Sequence, residues 1–183
     1  NEQFTVLGSS GSGKVTAPIV LVGYGIVDGP EGYSSFPKDA DFTGKIAVVM
    51  RFEPMKANGK SKWVEDGWSP ASSLDSKIQT IAEHHAAGII LVNPPGATDP
   101  RATQLVQSRD SRAAGNPLTI PAVMASADMV EKLIQASDPT DGPRRTLMDF
   151  RKQFDDKGGA IDFPAAKVSL TTRIVIDPIM TDN

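Results

Sequence analysis

The sequence predicts a mixed α/β domain that is rich in β-strands and carries two to three flanking helices. Residues 19–22 and 46–50 are continuous apolar runs with many β-branched side chains, a pattern typical of strands buried on both faces of a sheet. Residues 74–92 show a helical period followed by another apolar run, whereas residues 168–177 alternate between apolar and polar side chains. We therefore expect one sheet that combines parallel strands with an antiparallel strand.

The clearest predicted helix covers residues 74–87. Its apolar positions share one helical face, which includes Ile81 and His85, and Gly88 stands directly after its end. The apolar run 89–92 follows without a loop. We expect the apolar face of this helix to pack against the neighbouring buried strands.

The second half of the chain contains two further predicted helices. Residues 118–124 are expected to form a strand that tolerates Pro121 only at an edge or a bulge, and the side chain of Ser126 is suited to cap the helix that follows. Residues 146–154 also have helical spacing. The prediction thus includes three helices at most.

Length and composition limit the classes of function. A chain of 183 residues is expected to fold as one domain. Its 19 basic and 22 acidic residues give a net charge of -3, which argues against binding to nucleic acid or to an anionic membrane. The absence of cysteine excludes disulfides, thiolate nucleophiles and cysteine-ligated metal sites. The longest uncharged apolar stretch is far shorter than the roughly 20 residues of a membrane helix.

Two glycine motifs resemble phosphate-binding loops but lack the context that such loops need. Residues 8–14 have the spacing G-x-x-x-x-G-K, yet Val15 stands where a hydroxyl would hold magnesium, and a strand is expected next instead of a helix. Residues 23–28 begin as G-x-G, with Asp28 in place of the third glycine. We predict a flexible loop for the first motif and a bend at a strand end for the second.

The histidines and acidic residues do not form a recognisable catalytic centre. His84 and His85 are adjacent, so on a helix they would project about 100° apart and could not bind one ion together. We expect His85 on the apolar face of the helix and His84 in solvent. Three pairs of carboxylates lie in turn-like or terminal stretches, where solvation is expected: Asp39/Asp41, Glu65/Asp66 and Asp155/Asp156. The sequence therefore predicts no catalytic, cofactor-binding or metal-binding residue in this chain.

Two long connections are candidate binding loops. Residues 51–73 and 93–117 are longer than the loops that compact domains usually contain. Trp63 and Trp68 in the first connection either pin it to the body of the domain or form an exposed recognition surface. We favour pinning, because the buried area of an aromatic anchor would explain how such a loop becomes ordered.

Residues that directly follow the predicted parallel strands are the candidate contact residues. The carboxyl ends of parallel strands meet at one edge of a sheet, so side chains from both connections are expected to line that edge. Arg51 is the group best suited to a substrate carboxylate or to an acidic residue of a partner. The candidate edge comprises Arg51, Glu53, Pro54, Trp63, Trp68, Asn93 and Pro95.

Four sequence blocks, in this order, resemble the protease-associated (PA) domain. They read APIVLVGYGI at residues 17–26, DFTGKIAVVMR at 41–51, KIQTIAEHHAAGIILVN at 77–93 and IPAVM at 120–124. The form is that found with zinc aminopeptidases of the transferrin-receptor and glutamate-carboxypeptidase type. Residues 168–177 resemble the strand that returns toward the peptidase.

The resemblance implies a non-catalytic domain of the swivelling β/β/α type within a secreted, periplasmic or cell-surface bacterial aminopeptidase. It implies a role as lid, in substrate access or in protein interaction, with the peptidase domain and a peptide or protein substrate as partners. Zinc is then expected in a peptidase domain outside this chain. The domain core would cover residues 17–177, with a flexible segment at 1–16 and a junction at 178–183. The insertion at 63–73 and the helix at 144–159 depart from simple members of the family.

The residues alone leave one alternative open. A free-standing small α/β hydrolase or ligand-binding domain could use His85 together with an acid from a loop. The chain starts at Asn1 with neither a methionine nor a leader-like segment, so we expect it to be a trimmed piece.

Overall fold

A mixed sheet organises the fold. The computed structural model describes residues 3–106, 118–138 and 143–173. Within these ranges the strands are β1 (Phe4–Val6), β2 (Gly13–Leu21), β3 (Ile46–Met50), β4 (Gly88–Val92), β5 (Ala122–Ala125) and β6 (Ile161–Thr172). They form one sheet in the order β1-β5-β4-β3-β2-β6. The four inner strands run parallel, and β1 and β6 pair antiparallel at the two edges. The predicted mixture of parallel and antiparallel pairing is confirmed.

Three α-helices of the described residues cover the faces of the sheet: α1 (Leu74–Glu83), α2 (Ala127–Ser137) and α3 (Leu147–Asp156). Each begins after a hydroxyl side chain that accepts a hydrogen bond from a backbone N–H of the first turn, in the order Ser73, Ser126 and Thr146. Thr146 also forms a full capping box with Asp149. The predicted helices in the second half of the chain are confirmed. In the part of the chain that the structure describes, no helix has the length and apolar character needed to span a membrane.

The sheet separates two apolar layers, because alternate residues of a strand point to opposite faces. In β3 the first, third and fifth residues pack with α2 and α3, whereas the second and fourth pack with α1. All five residues of β3 and all five of β4 are buried. Ile81 of α1 has no exposed surface and lies in the second layer, as predicted.

The predicted continuation of the first helix to residue 87 is wrong. The helix α1 ends at Glu83, and His85 has φ 63°, in the left-handed region. The chain must leave the helix here to enter β4 only a few residues later. The side-chain directions that an ideal helix would give therefore do not apply to either histidine. The side chain of His85 is 72% exposed, while the ring of His84 stacks on Phe36 at 4.6 Å between centroids, so the expected places of the two histidines are reversed.

The two glycine motifs differ from phosphate-binding loops as predicted. The strand β2 starts at Gly13, inside the first motif, so no helix follows it. Ser10, within the same motif, is buried and accepts a hydrogen bond from Ala122 N at 2.9 Å, so the loop that the sequence predicts as flexible packs against the sheet instead. Gly23 and Gly25, just after β2, have φ 54° and 63°. A Cβ at Gly25 would lie 2.8 Å from Val49 Cγ2, so the bend needs glycine.

The last strand begins earlier than predicted. The strand β6 starts at Ile161 instead of residue 168, and its register against β2 shifts between Ala17 and Ile19. Pro18 therefore sits at the irregularity, which explains how a proline is accommodated in a strand with partners on both sides. The predicted antiparallel pairing is confirmed, while residues 174–177 lie outside the described residues.

Candidate functional site at the carboxyl end of the sheet

Arg51 and Asn93 converge on one connection. Arg51 follows β3 and Asn93 follows β4, and the backbone N of Arg51 donates to Val92 O at 2.8 Å. Arg51 Nη1 donates to Arg101 O at 3.2 Å, and Asn93 Nδ2 donates to Gln104 O at 2.9 Å. Both side chains therefore hold residues 101–104 against the carboxyl end of the sheet, which is the edge that the sequence places them on.

Arg51 has no carboxylate partner among the described residues. Its guanidinium lies 5.1 Å from the centroid of the Phe52 ring, and that of Arg101 lies 5.4 Å from the same ring. Burial lowers the pKa of Arg51 below its usual range, and the neighbouring charge of Arg101 lowers it further, while the charge of Asp99 acts in the opposite direction. Arg101 differs because it forms a paired contact with Asp99, with a shortest distance of 2.7 Å. Arg51 is therefore a half-buried cation that is available to an anionic group.

The two tryptophans pin the first long connection to the domain, as predicted. The Trp68 indole stacks on the Phe52 ring at 4.4 Å between centroids, and its Nε1 donates to Asp99 Oδ2 at 2.7 Å. The Trp63 indole meets the Tyr33 ring edge-on at 5.4 Å. Both indoles pack against the core and keep part of their surface exposed.

None of the seven candidate edge residues is fully exposed, and Glu53, Pro54 and Asn93 are buried. Glu53 has no exposed surface, and Pro54 is buried beside it. Pro95 is half-buried, and its carbonyl accepts from Arg151 Nη1 at 3.1 Å. The sequence places these residues after the strands but does not specify which way they point.

Lys77 is a buried lysine that the sequence pattern does not predict. Lys77 of α1 is 1% exposed, and its Nζ donates to Tyr24 O at 2.5 Å and to Phe52 O. Burial lowers the pKa of Lys77 to about 7, with the charge of Glu53 acting in the opposite direction. A charged residue in an amphipathic helix is normally assigned to the solvent face, so no sequence signal marks this lysine as buried.

The expectation that Asp155 is solvated is wrong. Its side chain is 7% exposed and accepts from Arg151 Nε at 2.7 Å, from Tyr24 Oη at 2.6 Å and from Met55 N at 2.8 Å. The i,i+4 spacing from Arg151 on α3 is the one signal that could have identified the pair. Asp155 thus joins α3 to the segments that follow β2 and β3.

A cleft of about 520 Å³ adjoins the ends of β4 and β5. Its walls include Asn93, Pro95, Gln104 and the first residues of α2. The Oδ1 atom of Asn93 is buried without a hydrogen-bond partner. The cleft lies at the same carboxyl end of the sheet as Arg51.

The imidazole of His85 does contact an acid, Asp41, at the amino end of the parallel strands. His85 Nδ1 lies 3.3 Å from Asp41 Oδ1, and the same oxygen accepts from the backbone N and the hydroxyl of Thr43. Asp41 is 61% exposed, and its hydrogen bonds within the described ranges involve no serine. This pair gives no specific support to the hydrolase alternative. In the same ranges, no three residues of the types that bind metals are grouped to hold an ion.

Comparisons with known proteins identify the family. A family model described as the PA domain matches residues 15–133. No curated protein matches the chain. Among solved structures, an aminopeptidase from Aneurinibacillus sp. strain AM-1 is similar at 20% sequence identity and a TM-score of 0.42, over 93% of this chain and 30% of that one. This chain thus spans less than one third of the length of that aminopeptidase. Because the family model covers more than half of the chain, the chain belongs to the PA domain family.

Proposed function

We propose that this chain is the non-catalytic PA domain of a secreted, zinc-dependent aminopeptidase. It acts there as a lid or substrate-access module, and its partners are the peptidase domain and a peptide substrate. The four sequence blocks that resemble the PA domains of such enzymes support this assignment. The zinc ion would be held by the peptidase domain, outside this chain.

The observation that carries the proposal is the half-buried Arg51 guanidinium at the carboxyl end of the sheet. It contacts the Phe52 ring and donates to Arg101 O, and no carboxylate of the described residues forms an ion pair with it. A partly desolvated guanidinium in a fixed position binds a carboxylate more strongly than a freely moving one does, because less orientational freedom is lost on binding. We therefore assign Arg51 to a carboxylate of the substrate or to an acidic residue of the peptidase domain.

The experiment has two parts. The coding sequence after residue 183 should continue into a metallopeptidase. In that full-length enzyme, Arg51→Ala should change KM or substrate selectivity by about tenfold, which corresponds to one charge-assisted hydrogen bond. Arg144→Ala is the matched control, since Arg144 is an exposed arginine outside this edge. Unchanged kinetics together with a loss of stability would make Arg51 structural and remove the argument for this edge.

A further inference from the structure

The carboxylate of Glu53 connects the two ends of one surface segment. It accepts hydrogen bonds from Ser61 Oγ at 2.5 Å, from Ser69 N at 3.0 Å and from Ser69 Oγ. Glu53 itself is fully buried. A buried carboxylate needs several donors to offset its lost hydration, and here the two serines provide them. The contacts close residues 61–69, called the 61–69 segment below, into a loop.

Ser61 also shapes the start of the 61–69 segment. While its hydroxyl donates to Glu53, its Oγ accepts from Trp63 N at 3.0 Å and from Val64 N at 3.1 Å. The hydroxyl therefore uses both its donor and its acceptor capacity within this loop. Removal of the carboxylate would deprive this hydroxyl of its acceptor and so weaken the link between this turn and the buried Glu53 position.

The other end of the 61–69 segment carries the indole that faces the candidate site. Trp68 precedes Ser69 directly and stacks on Phe52. Phe52 has φ 66°, a left-handed conformation that is costly for a residue with a bulky side chain. In that conformation the Phe52 ring contacts Trp68 and lies within 5.4 Å of the guanidinium carbons of Arg51 and Arg101.

A chain of polar contacts runs from Trp68 to Arg51. Trp68 Nε1 donates to Asp99 Oδ2, and Arg101 donates to both oxygens of Asp99, at 2.9 and 2.7 Å. Arg101 O in turn accepts from Arg51 Nη1. The Arg51 guanidinium thus contacts a ring on which Trp68 stacks and a carbonyl of the residue that shares Asp99 with Trp68.

Lys77 fixes the backbone beneath this arrangement. Its Nζ donates to Phe52 O, the carbonyl next to Glu53, and also to Tyr24 O at the end of β2. The buried ammonium of Lys77 and the buried carboxylate of Glu53 carry opposite charges, which lowers the cost of burying either one.

We propose that Glu53 is the positioning residue of the candidate site: its carboxylate holds the 61–69 segment closed, and through Trp68 this segment fixes the place of the Arg51 guanidinium. This inference rests on the function proposed for Arg51. Its test, however, needs only the present chain. A chain not followed by a peptidase would overturn the proposed function and leave the result on Glu53 unaffected.

The test compares Glu53→Ala and Glu53→Gln with Glu83→Ala, which removes an exposed carboxylate of α1. All three are made in a Trp63→Phe background, so that Trp68 is the sole indole. Three quantities are measured: amide hydrogen exchange by segment, the fluorescence emission of Trp68, and the rate at which phenylglyoxal modifies Arg51. Should Glu53→Ala fail to fold, Ser69→Ala removes one donor of the same carboxylate and takes its place.

We expect Glu53→Ala to accelerate exchange in the 61–69 segment by about tenfold or more, with β3 and β4 changed by less than about twofold. The Trp68 emission should shift to longer wavelength and Arg51 should react faster. The exchange rate of Glu53→Gln should lie between those of the unchanged Glu53 protein and Glu53→Ala. The amide oxygen of glutamine can still accept a hydrogen bond from a serine, while its NH₂ group cannot. Equal acceleration of exchange in β3 and β4 would show a general loss of stability, and an unchanged Trp68 emission or Arg51 rate would break the link to the site. Either result would overturn the proposal.

Discussion

The phenol of Tyr24 donates a 2.6 Å hydrogen bond to the carboxylate of Asp155, and this bond joins the end of β2 to α3. Both side chains are buried. Burial raises the pKa of Tyr24 well above its usual value, and the Asp155 charge raises it further. The phenol therefore remains protonated and acts as a donor at neutral pH.

Tyr24→Phe should lower the free energy of unfolding by about 1.5 to 3 kcal/mol, because it removes a donor from a buried charged acceptor. Urea denaturation of both proteins measures the loss. Tyr33→Phe is the control: the Tyr33 hydroxyl donates to a neutral carbonyl, Phe154 O, and its removal should cost only about 1 kcal/mol. Equal losses for the two variants would show that the charge of Asp155 adds nothing to this hydrogen bond.

Ile81→Ala should lower the free energy of unfolding by about 2 to 5 kcal/mol, since Ile81 is fully buried between α1 and the sheet. Met129→Ala on α2 provides a comparison, because Met129 is 40% exposed and should cost less. Denaturant unfolding measures both variants. A loss below about 0.5 kcal/mol for Ile81→Ala is the range of surface changes and would contradict this packing.

Lys77 should make stability depend on pH. Its folded-state pKa of about 7 lies below the ordinary value of 10.5, so between these values the unfolded chain binds more protons than the folded one. The free energy of unfolding, compared with that of Lys77→Met, should therefore rise with pH from 7 to 9, at a slope approaching about 1.4 kcal/mol per pH unit. Urea denaturation at several pH values measures this difference. A difference that stays constant with pH would show that Lys77 keeps its ordinary pKa.

The isolated chain should bind no stoichiometric zinc and should not hydrolyse aminopeptide substrates. Cysteine is absent from the sequence, and no cluster of His, Asp and Glu suited to a metal occurs within 3–106, 118–138 and 143–173. Elemental analysis of the purified chain and an assay with an aminoacyl substrate measure the two properties. One tightly bound zinc per chain would contradict the expectation and reopen the hydrolase alternative.

The sequence predicts those parts of the fold that depend on local pattern. The apolar run of β3 and the capping serine of α2 are examples, since each signal lies within a few residues. The end of α1 depends instead on where β4 must begin, and the start of β6 depends on its pairing with β2. The spacing of apolar residues within each segment contains no information on either requirement.

The candidate site shows the same division. The sequence locates Arg51 at the carboxyl end of β3, because a residue that directly follows a parallel strand lies at the carboxyl end of the sheet. It does not show that Glu53, two residues later, points inward. That direction depends on Ser61 and Ser69, whose contacts with Glu53 form only when the loop closes. Long-range partners decide whether a charged side chain is buried.

The pairing of β2 with β6 also has a kinetic consequence. Gly13 pairs with Thr172, so this ladder joins residues about 160 positions apart, whereas β3 and β4 are joined through α1 within about 40. Closing the longer stretch of chain costs more entropy before any contact compensates for it. During refolding, pulsed amide exchange should therefore detect protection in β3 and β4 before β6, and the strand that completes one edge of the sheet should be among the last to become protected.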